Sequence, residues 1–327
     1  MTEPLIPATD PTPSQTGTET PTPTPAPTGD KPERCGVVAV VGAPNAGKST
    51  IVNALVGQKI AITSPKAQTT RTRVMGVGIE EEAQIVLVDT PGIFAPGRRL
   101  DRAMVAAAWG GAQDADIIAL IVDGRGGLGP KMEPIVAGLA KRREPLWLIL
   151  NKVDVADKGK LLILTEKLHT LISPEETYYV SALTGDGLPE LKRAMAKAMP
   201  EGHWHFPADQ VSNATDRLFT AEITREQLYH QLNDELPYKS AVETEQYKER
   251  QDGSIEIHQQ ILVERASQRA IVLGKGGQRL KEIGSRSRAE LIKLLGVPVH
   301  LYLHVKVKEN WDDDRAVYRD IGLDWVE

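Results

Sequence analysis

Short apolar runs, each followed by a helical pattern, repeat along residues 36–199. The first run, Val37–Val41, is β-branched and ends in glycine, and further runs occupy Ile85–Val88, Ile117–Val122 and Leu146–Leu150. Runs of this length, bounded by turn residues, are typical of strands buried on both faces of a parallel sheet. Their alternation with helices predicts a doubly wound, mostly parallel α/β sheet whose ligands bind at the carboxyl ends of the strands.

The pattern changes after a linker at residues 200–202. Ala214–Leu232 has helical spacing, Ser254–Val263 and Val297–Val307 have strand character, and Gln268–Leu295 predicts a short strand, a glycine-rich turn and a helix. This half is predicted to be a separate α+β domain. The predicted division is a leader at 1–33, an α/β domain at 34–202, an α+β domain at 203–308 and an acidic C-terminal segment at 309–327.

The leader at residues 1–33 is dominated by proline and threonine, with few large apolar side chains. Such a segment cannot bury enough surface to offset its ordering entropy, so we predict a disordered spacer. A ligand for a proline-binding module is the alternative.

Composition restricts the classes of function. The apolar fraction of 41% and the charged fraction of 25% are those of an ordinary globular protein. No run reaches the roughly 18 apolar residues of a transmembrane helix, and no secretory signal pattern opens the chain. The single cysteine, Cys35, cannot form an internal disulfide, and no Cys/His cluster offers a zinc site. These features predict a cytoplasmic protein, and the net charge of −5 confines nucleic-acid binding to a local patch.

A phosphate-binding loop pattern follows the first predicted strand and opens a helix through Val56. The glycines allow backbone N–H groups to turn toward phosphates, Lys48 can reach the β- and γ-phosphates, and the Ser49 hydroxyl can bind Mg²⁺. The alternative, a glycine turn before an ordinary helix, is disfavoured by the strand–turn–helix context. The candidate residues are Gly42, Ala43, Pro44, Asn45, Ala46, Gly47, Lys48, Ser49 and Thr50.

A second motif, Asp89, Thr90, Pro91 and Gly92, ends the run Ile85–Val88 about 40 residues beyond the loop. Aspartate at such a strand end can hold Mg²⁺ through water, and the Gly92 amide can sense a γ-phosphate. Asp-x-x-Gly alone is a common turn, so its position gives it weight.

A third motif, Asn151, Lys152, Val153 and Asp154, follows the run Leu146–Leu150. Asp154 can accept two hydrogen bonds from guanine N1 and N2, which adenine does not offer in that arrangement. Asn151 and Lys152 would brace the loop and cover the base. A helix cap is the alternative for this motif. A weaker fourth element, Ser181, Ala182 and Leu183, supplies a backbone N–H for the guanine carbonyl oxygen.

A polar segment, Pro65–Arg71, lies between the loop helix and Asp89 and is interpreted as a mobile switch. It contains Thr69 and Thr70, one of which can complete the Mg²⁺ shell. We prefer Thr70, although the sequence does not separate the two.

Together these motifs resemble the bacterial Era family, in the translation-factor-like branch of small GTPases. The resemblance rests on Gly42–Thr50, Lys66–Arg71, Asp89–Gly92 and Asn151–Asp154, and it covers nearly everything after residue 34. It implies GTP and GDP as ligands, Mg²⁺ as cofactor and GTP hydrolysis as the reaction.

The predicted hydrolysis is slow. Ile93 stands where some GTPases carry a water-positioning glutamine, and isoleucine cannot orient a nucleophile. The resemblance implies K⁺ as a stand-in for an arginine finger, bound by Asn45; a plain turn-former is the competing interpretation of this residue. The candidate catalytic residues are therefore Asn45, Lys48, Thr70 and Gly92.

The second domain carries a Gly-x-x-Gly loop, predicted to lie between a strand at Ile271–Leu273 and a helix at Arg279–Leu295. Residues 265–293 hold eight basic side chains against two acidic ones, in a chain that is acidic overall. A solvated helix face is the alternative to a phosphate-binding surface. The candidate RNA-binding residues are Arg269, Gly274, Lys275, Gly276, Gly277, Arg279, Lys281, Arg286 and Arg288, with an apolar floor or core at Ile271, Leu273, Leu280 and Ile283.

The resemblance identifies this domain as a type II KH fold that binds the 3′ end of 16S ribosomal RNA and acts in 30S subunit assembly. Its closing Trp-Asp-Asp-x-Arg-like segment is matched by Trp311–Arg315, which either caps the sheet or contacts the first domain. The predicted protein is a monomeric GTPase switch. A GTP-gated RNA-binding module with negligible turnover is the alternative. A role at the inner membrane is a third hypothesis; the basic patch permits a peripheral contact, but no amphipathic anchor supports it.

Overall fold

The computed structural model describes residues 32–113, 115–233 and 235–327. The predicted leader at 1–33 therefore lies outside the described residues, except for its last two positions. Within the described ranges, every helix is too short or too polar to cross a membrane.

The first sheet has six strands in the order β2-β3-β1-β4-β5-β6. β2 is antiparallel to β3, and the other neighbouring pairs are parallel. The pattern-based prediction missed β2 because Gly76 and Gly78 interrupt its apolar residues. The strands are β1 (Arg34–Gly42), β2 (Val74–Glu80), β3 (Ala83–Asp89), β4 (Ile117–Asp123), β5 (Leu146–Asn151) and β6 (Glu176–Tyr179).

Helices cover both faces of this sheet. Buried residues of α1 and α5, such as Ile51 and Leu191, pack on one face, and those of α3 and α4, such as Ile135 and Leu164, pack on the other. The carboxyl ends of parallel strands meet at one edge, which collects Gly42, Asp89, Asp123 and Asn151. The helices are α1 (Lys48–Val56), α2 (Arg99–Gly111), α3 (Glu133–Leu139), α4 (Lys158–Ile172) and α5 (Leu188–Ala198).

The second domain is an α+β unit with a three-stranded sheet in the order β7-β8-β9. β7 is antiparallel to β8, and β9 runs parallel to β8. Leu228, Val272 and Ile283, one from each helix, share a core with Ile261 of the central strand. The elements are α6 (Asp216–Gln231), β7 (Ser240–Glu249), β8 (Ile255–Val263), α7 (Ala266–Leu273), α8 (Gln278–Leu295) and β9 (Val299–Val307).

The short strand predicted at Ile271–Leu273 is wrong, because these residues form the last turn of α7. The Gln268 side chain accepts hydrogen bonds from two backbone N–H groups at the helix start (2.8 and 3.0 Å). Gly274 ends the helix at a φ of 71°. Three consecutive apolar residues do not by themselves distinguish a strand from a helical turn, and the glycine loop therefore joins two helices.

The acidic C-terminal segment contacts both the sheet of the second domain and the first domain, which were predicted as alternatives. It contains α9 (Arg315–Asp320). Trp311 and Tyr318 are almost completely buried, and they share an apolar cluster with Leu100 and Met104 of α2 and with Leu262 of β8. The segment thereby joins the helix after the Asp89–Gly92 motif to the sheet of the second domain.

Candidate nucleotide-binding site

The loop between β1 and α1 is shaped for an anion. Gly47 precedes α1 at a φ of 95°, and a Cβ there would lie 2.2 Å from the Asn151 Nδ2 atom, so only glycine fits. Asn45 also adopts a left-handed conformation, at a φ of 64°. No side chain caps the start of α1. The first N–H groups of the helix are therefore available to a phosphate.

Lys48 places a buried cation in this loop. Its side chain is 6% exposed, and Nζ donates to the carbonyl oxygens of Gly42 (3.2 Å) and Ala43 (3.1 Å). Desolvation lowers the pKa of Lys48 to about 8, although the charge of Asp89 opposes this shift. A desolvated ammonium group is stabilised by an anion, which is the role that a nucleotide phosphate fills.

Three side-chain oxygens converge beside Lys48. Ser49 Oγ lies 2.8 Å from Thr70 Oγ1 and 2.7 Å from Asp89 Oδ2, and Thr70 Oγ1 lies 3.2 Å from the same carboxylate oxygen. Asp89 is fully buried and its Oδ1 has no hydrogen-bond partner. Desolvation raises the pKa of Asp89, against the effect of Lys48 and of the two hydroxyl groups. An all-oxygen set with one unpaired carboxylate oxygen fits Mg²⁺.

The geometry separates the two candidate threonines. Thr69 Oγ1 donates to the Lys66 carbonyl oxygen at 2.9 Å, whereas Thr70 Oγ1 faces Ser49 and Asp89. Thr70 and the two residues after it are buried. The predicted polar switch loop thus includes a buried stretch, which the sequence did not indicate.

The residues after Asp89 pack against the loop. Thr90 Oγ1 donates to the Val40 carbonyl oxygen at 2.7 Å. Gly92, after Pro91, lies so close to Pro44 that a Cβ would be 2.8 Å from it. Ile93 donates its N–H to Gly42 O at 3.1 Å, and its side chain is buried in the core. Ile93 is thereby a packing residue that cannot orient water.

The end of β5 supports the phosphate-binding loop, at the edge of the sheet where the guanine motifs were predicted. Asn151 Nδ2 donates to the Ala46 carbonyl oxygen at 2.9 Å, and Asn151 Oδ1 accepts from the amides of Lys152 (2.8 Å) and Ala182 (3.0 Å). Asp154 is exposed. The Ser181 N–H donates to Asp186 O at 2.9 Å, and Leu183 is 84% exposed. The two sequence motifs proposed for guanine therefore follow neighbouring parallel strands and lie at the same edge of the sheet.

The glycine loop of the second domain presents an exposed, basic surface. Gly274, Gly276 and Gly277 all have positive φ angles (71°, 60° and 77°), and Lys275 between them is exposed. The other predicted basic residues, Arg269, Arg279, Lys281, Arg286 and Arg288, are exposed as well. Arg279 donates to Ile271 O at 3.0 Å, and Arg286 pairs with Glu282 at 2.6 Å.

The expected apolar floor divides into surface and core. Ile271 is 49% exposed, whereas Ile283 is completely buried. Leu273 and Leu280 are partly buried against the core of the second domain.

Comparison with known families assigns both halves of the chain. The family model described as a 50S ribosome-binding GTPase matches residues 37–152, and a KH domain model matches residues 235–312. GTPase Era of Erythrobacter litoralis is 60% identical over 301 residues, covering 91% of this chain and 99% of that protein. The chain belongs to the GTPase Era family.

Other Era proteins extend this likeness. Era of Afipia carboxidovorans is 53% identical over 294 residues, covering 90% of this chain and 96% of that protein. A solved Era structure with MgGDPNP and nucleotides 1506–1542 of 16S ribosomal RNA has a TM-score of 0.84 and 39% identity, covering 89% of this chain and 99% of that one. An Aquifex aeolicus Era variant bound to GDP and AlF4⁻ has a TM-score of 0.83 and 39% identity, covering 88% and 99%. The predicted family and the predicted fold, a P-loop GTPase domain followed by a KH domain, are both confirmed.

One contact of this Era-family site was missed at the sequence level. Lys152 Nζ lies 2.7 Å from Asp123 Oδ2 and 2.5 Å from the Asn45 carbonyl oxygen. Desolvation raises the pKa of Asp123, but hydrogen bonds from Arg125 and Lys152 outweigh it and bring the value to about 2. Asp123 ends an apolar run as Asp89 does, and that position was the available signal.

Replacement of Asp123 tests this contact. We expect Asp123→Ala to raise the Kd for GDP about 5- to 10-fold. The reason is that Lys152 loses the carboxylate that holds its side chain against the phosphate-binding loop. Arg125→Ala is the matched control, since it leaves the Lys152–Asp123 pair intact and should change the Kd less than twofold. Equal effects of the two variants in fluorescent-nucleotide titrations would contradict the assignment.

Proposed function

We propose that this chain binds and hydrolyses GTP with Mg²⁺ and binds the 3′ region of 16S ribosomal RNA through its KH domain during 30S subunit assembly. The convergence of Ser49, Thr70 and Asp89 beside the buried Lys48 carries the first part of the proposal. The exposed glycine loop with its basic helix supports the second. The Era structure solved with MgGDPNP and a 16S fragment supports the combination.

Each side chain has a defined role in this proposal. Ser49, Thr70 and Asp89 would hold Mg²⁺, which would supply positive charge to neutralise the phosphates. The Lys48 ammonium group and the N–H groups at the start of α1 bind phosphate oxygens. The Gly92 amide, fixed against Pro44, detects the γ-phosphate.

Base selectivity is assigned to Asp154. We expect Asp154→Asn to change the GTP-to-xanthosine-triphosphate affinity ratio by at least about 100-fold, because an amide can donate to the xanthine carbonyl that replaces the guanine amino group. Competition titrations measure the ratio. Asp157→Asn, three residues later, makes the same charge change and conserves the cap of α4, so it should leave the ratio unchanged. Unchanged GTP selectivity in Asp154→Asn refutes the base-reading role.

We assign Asn45 as the residue that would bind K⁺, and K⁺ as the cation that would stimulate hydrolysis. Ile93 is buried, so the residue after Gly92 offers no water-positioning group. Asn45 Nδ2 donates to the Pro65 carbonyl oxygen at 2.9 Å, which leaves its side-chain oxygen for a cation. This arrangement supports slow turnover that K⁺ stimulates, which is the outcome we expect.

The K⁺ assignment predicts a ratio of rates. Multiple-turnover phosphate release should be several-fold faster in K⁺ than in Na⁺ for the parent protein, and the ratio should fall to about one in Asn45→Ala. Loss of the hydrogen bond to Pro65 would lower the turnover rate equally in K⁺ and in Na⁺. Only the ratio of the two rates therefore reports on K⁺ binding. An undiminished ratio in Asn45→Ala overturns the assignment. No turnover by the parent in either salt, even with 30S subunits, favours the GTP-gated binding module.

The RNA surface is tested by charge reversal in the glycine loop. We expect Lys275→Asp to raise the Kd for a single-stranded 16S 3′-end fragment about tenfold and to reduce the salt slope of binding by about one. Lys158→Asp, an equally exposed charge reversal on α4, should change neither quantity. GDP affinity should stay constant in both variants. Equal losses of RNA affinity in the two variants would show that overall charge, and not the loop, binds RNA.

Cellular location and assembly state complete the proposal. The cytoplasm is the proposed location. A peripheral contact with the inner membrane and a monomeric state stay predictions.

A further inference from the structure

The second domain holds the backbone of the switch segment, defined here as Gln68–Thr72. Tyr229 of α6 donates its hydroxyl hydrogen to the Gln68 carbonyl oxygen at 3.0 Å. Arg225, one turn earlier on α6, donates to the Thr69 carbonyl oxygen. Two consecutive carbonyl groups before Thr70 are thus fixed by one helix of the other domain.

The residues after Thr70 are fixed by the second domain and the C-terminal segment. The Arg71 guanidinium group is 3% exposed and donates to Ser240 O (2.8 Å), Tyr238 O (3.2 Å) and Pro237 O (3.3 Å). Thr72 Oγ1 donates to the carbonyl oxygen of Gly322, in the C-terminal segment, at 2.7 Å. Thr70 is therefore flanked on both sides along the chain by residues that the second domain and the C-terminal segment hold.

Arg225 makes a buried polar contact that stability alone does not explain. It is 1% exposed and pairs with Glu222, whose Oε1 accepts from Nε at 2.7 Å. Its Nη1 has no hydrogen-bond partner. A buried guanidinium group with an unsatisfied nitrogen costs free energy, and an apolar side chain of similar volume avoids that cost. What Arg225 adds, and an apolar residue cannot, is the hydrogen bond to Thr69.

We propose that Arg225 and Tyr229 are positioning residues for GTP hydrolysis, which hold the Thr70 hydroxyl at the Mg²⁺ site through the backbone of residues 68 and 69. The inference rests on the proposed function, since it assigns the second domain a part in the reaction of the same site. Small displacements of a group at a reaction centre lower rates strongly, so two hydrogen bonds outside the site can control turnover. The second domain thereby completes the Mg²⁺ site when it is docked.

Two hydroxyl groups on α6 offer a matched test. Tyr229→Phe removes the hydrogen bond to the switch segment, whereas Thr224→Val removes a buried hydrogen bond of 2.6 Å to Gln259 in the sheet of the second domain. We expect Tyr229→Phe to lower the single-turnover hydrolysis rate about 3- to 10-fold and to raise the Mg²⁺ concentration for half-maximal rate by a similar factor. Affinity for GDP should stay constant. Thr224→Val should lower the urea midpoint of unfolding without changing the Mg²⁺ dependence.

Arg225 variants extend the test. Arg225→Gln should shift the Mg²⁺ dependence further than Tyr229→Phe, and Arg225→Lys, which retains a donor, should restore part of the rate. If Arg225→Gln does not fold, Tyr229→Phe alone decides. A Mg²⁺ dependence that is unchanged in Tyr229→Phe, or shifted equally in Thr224→Val, overturns the positioning role. A parent protein that neither hydrolyses GTP nor binds RNA would reject the proposed function, which is a separate outcome.

Discussion

The buried carboxylate of Asp89 is the constraint on which the nucleotide site depends. It lies at the end of β3 with one oxygen unpaired and the other shared by Ser49 and Thr70. A buried carboxylate needs a compensating cation, which Lys48 supplies, and the unpaired oxygen is available to Mg²⁺. Thr70 reaches Asp89 from the switch segment, and α6 of the second domain holds that segment at Gln68 and Thr69. The position of the Thr70 hydroxyl group therefore depends on both domains.

The contacts around the switch segment connect the two domains. Lys59, just before the switch, lies 2.6 Å from Glu226 of α6 and 3.0 Å from Glu290 of α8. Burial works against the charge of Lys59, but the two carboxylates raise its pKa. Since α8 begins at the Gly274–Gly277 loop, the helix that carries the proposed RNA surface also contacts the first domain at Lys59.

The C-terminal segment adds a second connection. Trp311 donates its indole N–H to Lys239 O at 3.2 Å and also lies beside the Arg71 guanidinium group, 5.8 Å from the ring centre. Trp325 stacks with Arg99 of α2 at 4.4 Å. The C-terminal segment therefore contacts α2 of the first domain and β8 of the second.

The sequence predicted what depends on local pattern. The strand ends could be predicted because buried parallel strands need apolar runs. The nucleotide loop could be predicted because phosphate-binding loops need glycine, as at Gly42 and Gly47. The strand predicted at Ile271–Leu273 failed because three apolar residues suit a helical turn equally well. The burial of Arg71 and Arg225 was not predictable, since a buried arginine is exceptional and the carbonyl groups that they bind in the other domain lie 169 and 156 residues away along the chain. Asp123 was predictable in principle from its position after an apolar run.

Because α6 of the second domain holds the switch segment, we propose that the nucleotide bound to the first domain controls the affinity of the KH domain for RNA. The most direct test is the Kd for a single-stranded 16S 3′-end fragment, measured at one salt concentration with Mg²⁺ and either GDP or a non-hydrolysable GTP analogue. Coupling of about 1–3 kcal/mol is typical, so we expect the RNA to bind about tenfold more tightly with the analogue. Equal affinities in the two nucleotide states would contradict it.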